Sequence, residues 1–289
     1  MRSPLNKRLF RELRGEFGKY LVIFILMTLT IGMVSGFLVA DGSMIQAYEE
    51  SFEKYNIENG HFRTEKKMNN AQIQDIEDLG IKLYENYYVE EALTNGSTMR
   101  IFKNRDEVNK VCLMKGKMPE KPGEIGIDRM YADNNDLSVG DEIESGGHTW
   151  KITGLVALSD YSALFSNNND SMFDSVKFGV SVVCPEEFDS YKADQLNYSY
   201  AWKYNTEPKN EKAEKDISED LMEDVAKEVT LEEFVPRYTN QAIIFTGDDM
   251  GGDRSMMIVL LYIIIVIMAF VFAITIRNTI RKEANVIGT

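Results

Sequence analysis

The sequence predicts a membrane-anchored α+β protein in which two transmembrane helices flank an extracytoplasmic domain of two subdomains. Two runs of 21 uncharged residues predict the helices, Tyr20–Ala40 and Met256–Ile276. At about 1.5 Å per residue, each run is about 30 Å long as a helix, which matches the hydrocarbon thickness of a bilayer. Between them, short alternating segments and glycine-rich turns are mixed with short helical segments, a pattern typical of α+β packing.

The distribution of charge orients the two spans. The chain carries a net charge of −14; residues 1–19 carry +4 and residues 277–289 carry +2, which leaves −20 between the spans. Because Lys and Arg beside a span stay on the cytoplasmic side, both termini are expected in the cytoplasm. The acidic middle segment repels phosphate groups, so nucleic acid is not expected as a partner.

These runs also set the expected boundaries. The first apolar run exceeds the 7–15 residues usual in a cleaved signal peptide, which is the alternative to an anchoring helix. The predicted segments are an amphipathic interfacial helix (1–19), the first span (20–40), the extracytoplasmic domain (41–255) with a turn-rich β subdomain (about 111–160), the second span (256–276) and a short cytoplasmic helix (277–289).

Local signals place several elements within the middle segment. Asn69 or Asn70 is expected to cap a short helix, because Asn accepts hydrogen bonds from the first free N–H groups. Residues 81–93 read as one strand, joined to the next by a turn at Asn95-Gly96. A second hairpin turn is expected at Gly146-Gly147.

The sequence carries none of the motifs of the common catalytic sites. It has no G-x-x-x-x-G-K-[ST] phosphate loop, no H-E-x-x-H motif and no cysteine pair with zinc-ligand spacing. The two histidines, His61 and His148, lie far apart, and His148 is expected at an exposed hairpin turn. We therefore expect no enzymatic activity, no catalytic residue, no metal site and no cofactor.

Two features allow more than one interpretation. Cys112 and Cys184 either form a disulfide, which an oxidising compartment permits, or remain free thiols in strands. The segment "TGDDMGGD" clusters three aspartates but lacks the alternating order of a calcium loop. A helix cap and turn next to the membrane is the alternative to a calcium site at Asp248, Asp249 and Asp253.

The segment "LMKGKMPEKPGEIGIDRMYADNNDLSVGDEI" resembles a signature of ABC-transporter permeases of the FtsX/MacB type. That signature reads G-R-x-P-x-x-x-G-E-I and then L-x-V-G-D-x-I. The C-terminal "RKEANVIGT" resembles the start of the family's cytoplasmic coupling helix, with Glu283, Ile287 and Gly288 in the positions of its acid and Ile-Gly pair. The signature positions are Gly116, Pro119, Gly123, Glu124, Ile125, Leu137, Val139, Gly140, Asp141 and Ile143.

The resemblance implies a permease subunit with a MacB-like core domain in the cell membrane, similar to large Gram-positive members. It implies a cytoplasmic ABC ATPase that contacts the coupling helix, and a second permease copy or half. It also implies that the chain is the N-terminal portion of a longer permease, since further spans follow the coupling helix. Its implied role is mechanotransmission in the export or handling of peptides, lipoproteins or other amphiphiles. The alternative is a two-span receptor or sensor with an extracytoplasmic ligand-binding domain.

Overall fold

The computed structural model describes residues 14–15 and 17–287, and for residues 279 and 282–287 it describes the backbone alone. The chain divides into two compact units. One is formed by the described parts of Met1–Ala47 and Asp248–Thr289, and the other by Tyr48–Gly247. Most of the predicted interfacial helix at residues 1–19 lies outside the described residues.

Two long helices contain the predicted spans. Helix α1 is Phe17–Lys54 and helix α6 is Gln241–Ile287. Both are long and apolar enough to cross a membrane, and only 6% of the most apolar window of each is buried. Side chains such as Phe24, Met33 and Phe270 are mostly exposed. Exposed apolar surface of this extent is stable in hydrocarbon rather than in water, so the prediction of two apolar helices is confirmed.

The expected turn at "TGDDMGGD" is wrong. These residues lie inside α6, and Gly251 and Gly252 are helical. Each glycine costs a helix about 1 kcal/mol relative to alanine. A break would instead leave up to four N–H and four C=O groups without helical partners at the new ends. Among the residues that the structure describes, no group of three His, Cys, Asp or Glu side chains is placed to hold a metal ion.

The first sheet of the Tyr48–Gly247 unit has four antiparallel strands. Helices α2 (Asn70–Glu77) and α5 (Glu211–Glu228) contact each other. Helix α2 also contacts the second strand of the chain, and helix α5 contacts the last strand. Trp202 stacks on Phe234 at 4.7 Å between ring centroids and is fully buried. The strands are β1 (Gly60–Thr64), β2 (Ile81–Glu85), β10 (Tyr198–Tyr204) and β11 (Leu231–Pro236), in the order β11-β1-β10-β2.

The second sheet has seven strands and is mixed. Two pairs are parallel, β4 with β9 and β6 with β8, and the other pairs are antiparallel. Its order is β3-β4-β9-β6-β8-β5, with β7 also pairing with β8. Short helices α3 (Arg129–Asn134) and α4 (Pro185–Phe188) follow β6 and β9. The strands are β3 (Tyr88–Ala92), β4 (Thr98–Lys103), β5 (Val111–Gly116), β6 (Glu124–Asp128), β7 (Glu142–Ser145), β8 (His148–Leu158) and β9 (Phe178–Val183).

Residues 111–158 therefore supply four of the seven strands of this sheet, and β3, β4 and β9 come from outside that range. Strand β9 is buried along its whole length, and Trp150 of β8 is fully buried. The core of the unit is continuous, since buried side chains of both sheets belong to one cluster.

Most predicted local signals are confirmed. Asn69 caps α2 by accepting hydrogen bonds from two backbone N–H groups. Gly96 has φ +81° at the β3–β4 turn, and Gly146 and Gly147 have positive φ at the β7–β8 turn. The single strand expected at residues 81–93 is wrong, however. It divides at Asn86 into β2 and β3, which belong to different sheets.

Candidate functional site

The first half of the permease-like motif forms a corner beside β8. Gly116 ends β5 with φ +81°, and a Cβ placed there would lie 2.3 Å from the carbonyl oxygen of Thr153. The N–H of Lys117 donates to that same oxygen at 2.9 Å, so the backbone of the corner is pinned to β8. Only glycine combines this backbone angle with this close approach.

The segment before β6 is also held by backbone hydrogen bonds. The N–H of Gly123 donates to Oε2 of Glu187 at 2.7 Å, and its carbonyl accepts from the N–H of Lys151 at 2.9 Å. Glu124 accepts from the N–H of Glu120 at 3.0 Å, and this hydrogen bond lowers the pKa of the Glu124 carboxyl. Pro119, between these glycines in sequence, is buried.

The second half of the motif contacts the same strand. Gly140 has φ +105°, and its N–H donates to the carbonyl of Ile152 at 2.8 Å. The N–H of Ile152 donates in turn to the carbonyl of Asp141 at 2.9 Å, while the Asp141 carboxylate accepts from the N–H of Ser138 at 2.8 Å. Val139 packs against the core. The signature residues therefore build two loops around β8, and their hydrogen bonds hold the backbone of those loops against that strand.

The expected coupling residues lie at the C-terminal end of the described chain. Glu283 and Ile287 belong to α6 by their backbone, but their side chains lie outside the described residues. Gly288 also lies outside them. The contacts that the resemblance assigns to these three residues therefore stay predictions.

A cavity of about 610 Å³ lies within the Tyr48–Gly247 unit and has both charged and aromatic walls. Arg100 lines the cavity, and its guanidinium lies 4.5 Å from the ring centre of Tyr88 and 5.0 Å from that of Phe178. It donates to Glu90, at 2.7 and 2.9 Å, and to the hydroxyl of Tyr161 at 2.7 Å. Burial raises the pKa of the Tyr161 hydroxyl, so Arg100 faces a neutral phenol.

A second group of charges includes Glu58, His61 and Asp160, which also line this cavity. His61 Nδ1 is 2.6 Å from Oε1 of Glu58, and Oε2 of Glu58 accepts from the side-chain amide of Asn109 at 2.6 Å. Arg105 forms two hydrogen bonds with Asp160, at 2.7 and 2.8 Å. Glu58, Asn109, Arg105 and Asp160 are all buried, while the His61 side chain is 24% exposed and lines the cavity.

The electrostatic effects within this group oppose one another. Burial raises the pKa of Glu58, but the charge of His61 and the hydrogen bonds from His61 and Asn109 outweigh it, so the pKa is lowered. Burial lowers the pKa of His61, but Glu58 outweighs it, so the pKa is raised. Both shifts favour a charged His61–Glu58 pair. Burial raises the pKa of Asp160 even though Arg105 lies against it.

No motif in the sequence indicated this group. Glu58 and Asn109 are 51 positions apart and Arg105 and Asp160 are 55 apart, so no local pattern connects them. His148 is exposed at its hairpin turn as predicted, and it stacks on Trp150 at 5.4 Å. Both cysteines are free thiols: Cys184 is buried, and Cys112 accepts a hydrogen bond from the hydroxyl of Tyr55 at 3.3 Å.

No protein-family model matches the chain, and no curated protein sequence matches it either. Three of the solved structures that are similar to part of the chain have low TM-scores. The periplasmic region of MacB from Actinobacillus actinomycetemcomitans has a TM-score of 0.32 and 11% identity, covering 59% of this chain and 85% of its own. The extracellular domain of the noncanonic ABC-type transporter YknZ from Gram-positive bacteria has a TM-score of 0.32 and 10% identity, covering 58% and 92%. A putative lipoprotein from Bacillus anthracis has a TM-score of 0.30 and 12% identity, covering 61% and 96%.

Proposed function

We propose that the chain is the permease subunit of a mechanotransmission-type ABC transporter. In this role a partner ATPase hydrolyses ATP in the cytoplasm, and the permease converts that hydrolysis into movement of its extracytoplasmic domain. The cargo would be a peptide, a lipoprotein or another amphiphile. The chain itself then needs no catalytic residue and no cofactor, in keeping with the absence of a phosphate-loop motif from its sequence.

The observation that carries this proposal is the continuity of α6. The helix has 47 residues, from Gln241 to Ile287, and is about 70 Å long at 1.5 Å per residue. It includes an apolar run long enough to cross a bilayer and continues for more than two turns beyond Ile276. Because helical hydrogen bonds hold the rise per residue constant, such an element transmits an axial displacement.

The first turns of α6 are firmly attached within the Tyr48–Gly247 unit. The Ser162 hydroxyl lies 2.9 Å from the carbonyls of Ala242 and Ile243, and the hydroxyl of Tyr48 donates to the Ile243 carbonyl at 3.0 Å. Gln241 donates from its backbone and side chain to Asn168. A displacement of the helix would therefore act on the α+β body through several hydrogen bonds.

The basic flanks support the proposed location and partners. Lys and Arg cluster within residues 1–19 and 277–289, which favours cytoplasmic termini in a bacterial cell membrane. An ATPase subunit would meet the chain there, at Glu283 and Ile287, and a second permease copy or half would complete the transporter. The resemblance to Gram-positive members favours a Gram-positive source.

The coupling role can be tested with paired substitutions in the chain, expressed together with a candidate cytoplasmic ATPase. Glu283→Lys combined with Ile287→Asp reverses the charge and removes the apolar contact of the expected ATPase-binding face. Loss of one partner of a buried interfacial charge pair costs about 2–5 kcal/mol, so binding should fall at least about thirtyfold. We expect loss of ATPase co-purification and of substrate-linked ATP hydrolysis, with membrane insertion unchanged.

Asn285→Lys is the matched control. It makes the same net-charge change of +1, but lies about 160–200° around the helix from the two tested positions. It should leave ATPase recruitment intact. Unaltered hydrolysis in the Glu283→Lys, Ile287→Asp variant would contradict the coupling role.

A two-span receptor or sensor is the second candidate, and the cavity of about 610 Å³ favours it, because ligand sites are typically concave and of this size. Co-purification separates the two functions. A permease should retain a cytoplasmic ATPase, whereas a receptor should retain none from the same set of candidates.

A further inference from the structure

The buried charges beside His61 do not balance without it. Glu58, Asp160 and Arg105 are the buried ionised groups of the cluster, with side chains 1%, 6% and 7% exposed. Two carboxylates and one guanidinium leave a net charge of −1. An unbalanced charge in a buried site is strongly unfavourable, so the cluster requires one more positive charge. A protonated His61, with Nδ1 at 2.6 Å from Glu58, supplies it.

The other basic groups that the structure describes beside His61 and Glu58 are already paired with acids. Negative groups on three segments attract it: Glu58 from the segment before β1, Glu233 from β11 and Asp160 from the turn after β8. Arg105 is held by Asp160 and by the side-chain carbonyl of Asn86. Arg63, on the same strand as His61, forms ion pairs with Glu233 and the neighbouring Glu232. Because the His61 side chain lines the cavity, solvent protons can reach it.

Glu58 is also part of a junction between two chain segments. Its N–H donates to the side-chain carbonyl of Asn109 at 2.9 Å, while its carboxylate accepts from the amide of the same residue. The Asn109 N–H donates to the carbonyl of Asn56 at 3.1 Å, and the Lys110 N–H to that of Tyr55 at 2.9 Å. Asn109 has φ +48°, a conformation that needs such support in a residue other than glycine. The segment that directly follows α1 is thus joined to the β4–β5 loop through Glu58.

We propose that His61 is a proton-dependent latch that fastens the segment following α1, residues 55–58, to the β4–β5 loop at residues 107–110. When His61 is protonated, the buried cluster is neutral and Glu58 holds Asn109. When His61 loses its proton, Glu58 loses its directly bonded counter-ion and keeps only the attraction of Arg105, which already pairs with Asp160, so the junction opens more often. Within the proposed function, on which this consequence rests, the latch makes the attachment of α1 to the ectodomain depend on external pH.

The direction of the pH effect follows from the contacts. The pKa of His61 is raised in the folded protein, because the attraction of Glu58 exceeds the opposing effect of burial. Stability from the pair is therefore fully present below the unfolded pKa of about 6.5 and is lost as pH rises through the folded pKa. The latch is closed in mild acid and open in alkali.

The titration can be measured on the full chain in detergent micelles by NMR of histidine labelled with ¹³C at Cε1. The chain has two histidines, so two signals are expected, and His148→Gln assigns them. We expect the His61 signal to titrate above the ordinary histidine range. In Glu58→Gln its midpoint should shift downward. A His61 midpoint that Glu58→Gln leaves unchanged would overturn the proposal.

Opening of the latch can be followed by hydrogen–deuterium exchange of the amides at positions 58, 109 and 110, with buried β9 as the reference for intrinsic rates. In the wild type, exchange at these amides should accelerate relative to β9 as pH rises through the His61 midpoint. The Gln side chain of His61→Gln cannot be protonated, so these amides should exchange at the faster rate at every pH in this variant, without a pH step. His148→Gln, the same substitution at an exposed turn, should keep the step.

A step that persists in His61→Gln, or a wild type with no step, would overturn the latch. The two tryptophans, both fully buried in the Tyr48–Gly247 unit, check by their emission that every variant is folded. Neither measurement involves an ATPase. The latch can therefore fail while the coupling test succeeds, and the coupling test can fail while the latch is present.

Discussion

Replacing Gly116 by alanine tests whether the permease-like signature is a structural corner. Two unfavourable effects are expected. At φ +81°, an L-residue costs about 1–2 kcal/mol relative to glycine. In addition, the new methyl group would lie 2.3 Å from the Thr153 carbonyl oxygen, a backbone atom that cannot rotate away.

Relief of that contact requires movement of the corner or of β8. Overpacking of this kind costs about 1–3 kcal/mol. Movement of the corner would also weaken the hydrogen bond from Lys117 to Thr153, which is worth about 1 kcal/mol. We therefore expect Gly116→Ala to reduce the free energy of unfolding by about 3–6 kcal/mol.

Gly123→Ala is the matched control. Gly123 has the same φ of +81°, belongs to the same signature, and has nothing within 4 Å of the position of an added Cβ. It therefore carries the conformational effect alone, about 1–2 kcal/mol. The difference between the two variants isolates the close approach of Gly116 to β8.

Tryptophan fluorescence during urea unfolding of the full chain in detergent measures this difference. Both tryptophans of the chain, Trp150 on β8 and Trp202 on β10, lie in the Tyr48–Gly247 unit, so the signal reports that unit and not the membrane helices. A Trp202→Phe background restricts the signal to the sheet that contains Gly116. If the two alanine variants lose the same free energy of unfolding, within about 0.5 kcal/mol, the close approach of Gly116 to β8 does not contribute to stability and the prediction is refuted.

Two further predictions concern pH and topology. Burial raises the pKa of Asp128 to about 6, so an ionised Asp128 destabilises the fold as pH rises from below 4 to above 6. Asn is an equally good cap for α3. The advantage of Asp128→Asn over the wild type in free energy of unfolding should therefore be larger at pH 8 than at pH 4, by on the order of 2 kcal/mol. Urea unfolding that shows no such difference would contradict this. In a background without Cys112 and Cys184, cysteine at Asn6 or Asn285 should resist an impermeant thiol reagent in intact cells, while cysteine at the exposed Asn169 should react. Labelling of either terminal position from outside would contradict the proposed orientation, and labelling after permeabilisation serves as the control.

Local interactions allowed several elements to be predicted from the sequence alone. A run of 21 uncharged residues has one stable form in a membrane, a helix, because helical hydrogen bonds satisfy every backbone group within the segment. Positive φ at Gly96, Gly146 and Gly147 likewise follows from turn chemistry within a few residues. The Asn69 cap depends on N–H groups two and three positions away.

The arrangement of the sheets was decided by contacts that no local pattern contains. Residues 81–93 read as one strand, yet Asn86, hydrogen-bonded to Ser199 and Arg105, separates β2 from β3 and sends them to different sheets. The parallel pairing of β4 with β9 joins residues about 80 positions apart. At residues 246–253, α6 continues through aspartates and glycines whose composition suggested a turn.

The candidate site belongs wholly to the tertiary structure. In the sequence, His61 is a lone histidine three residues after a glutamate. In the fold, Asn109 and Arg105 of the β4–β5 loop and Asp160 of the turn after β8 converge on that pair. The charge of a side chain follows from its type, but its pKa and its counter-ion depend on burial and on neighbours distant in the chain. The sequence therefore determined the membrane helices and the turns, and the tertiary structure alone decided which charges are buried together.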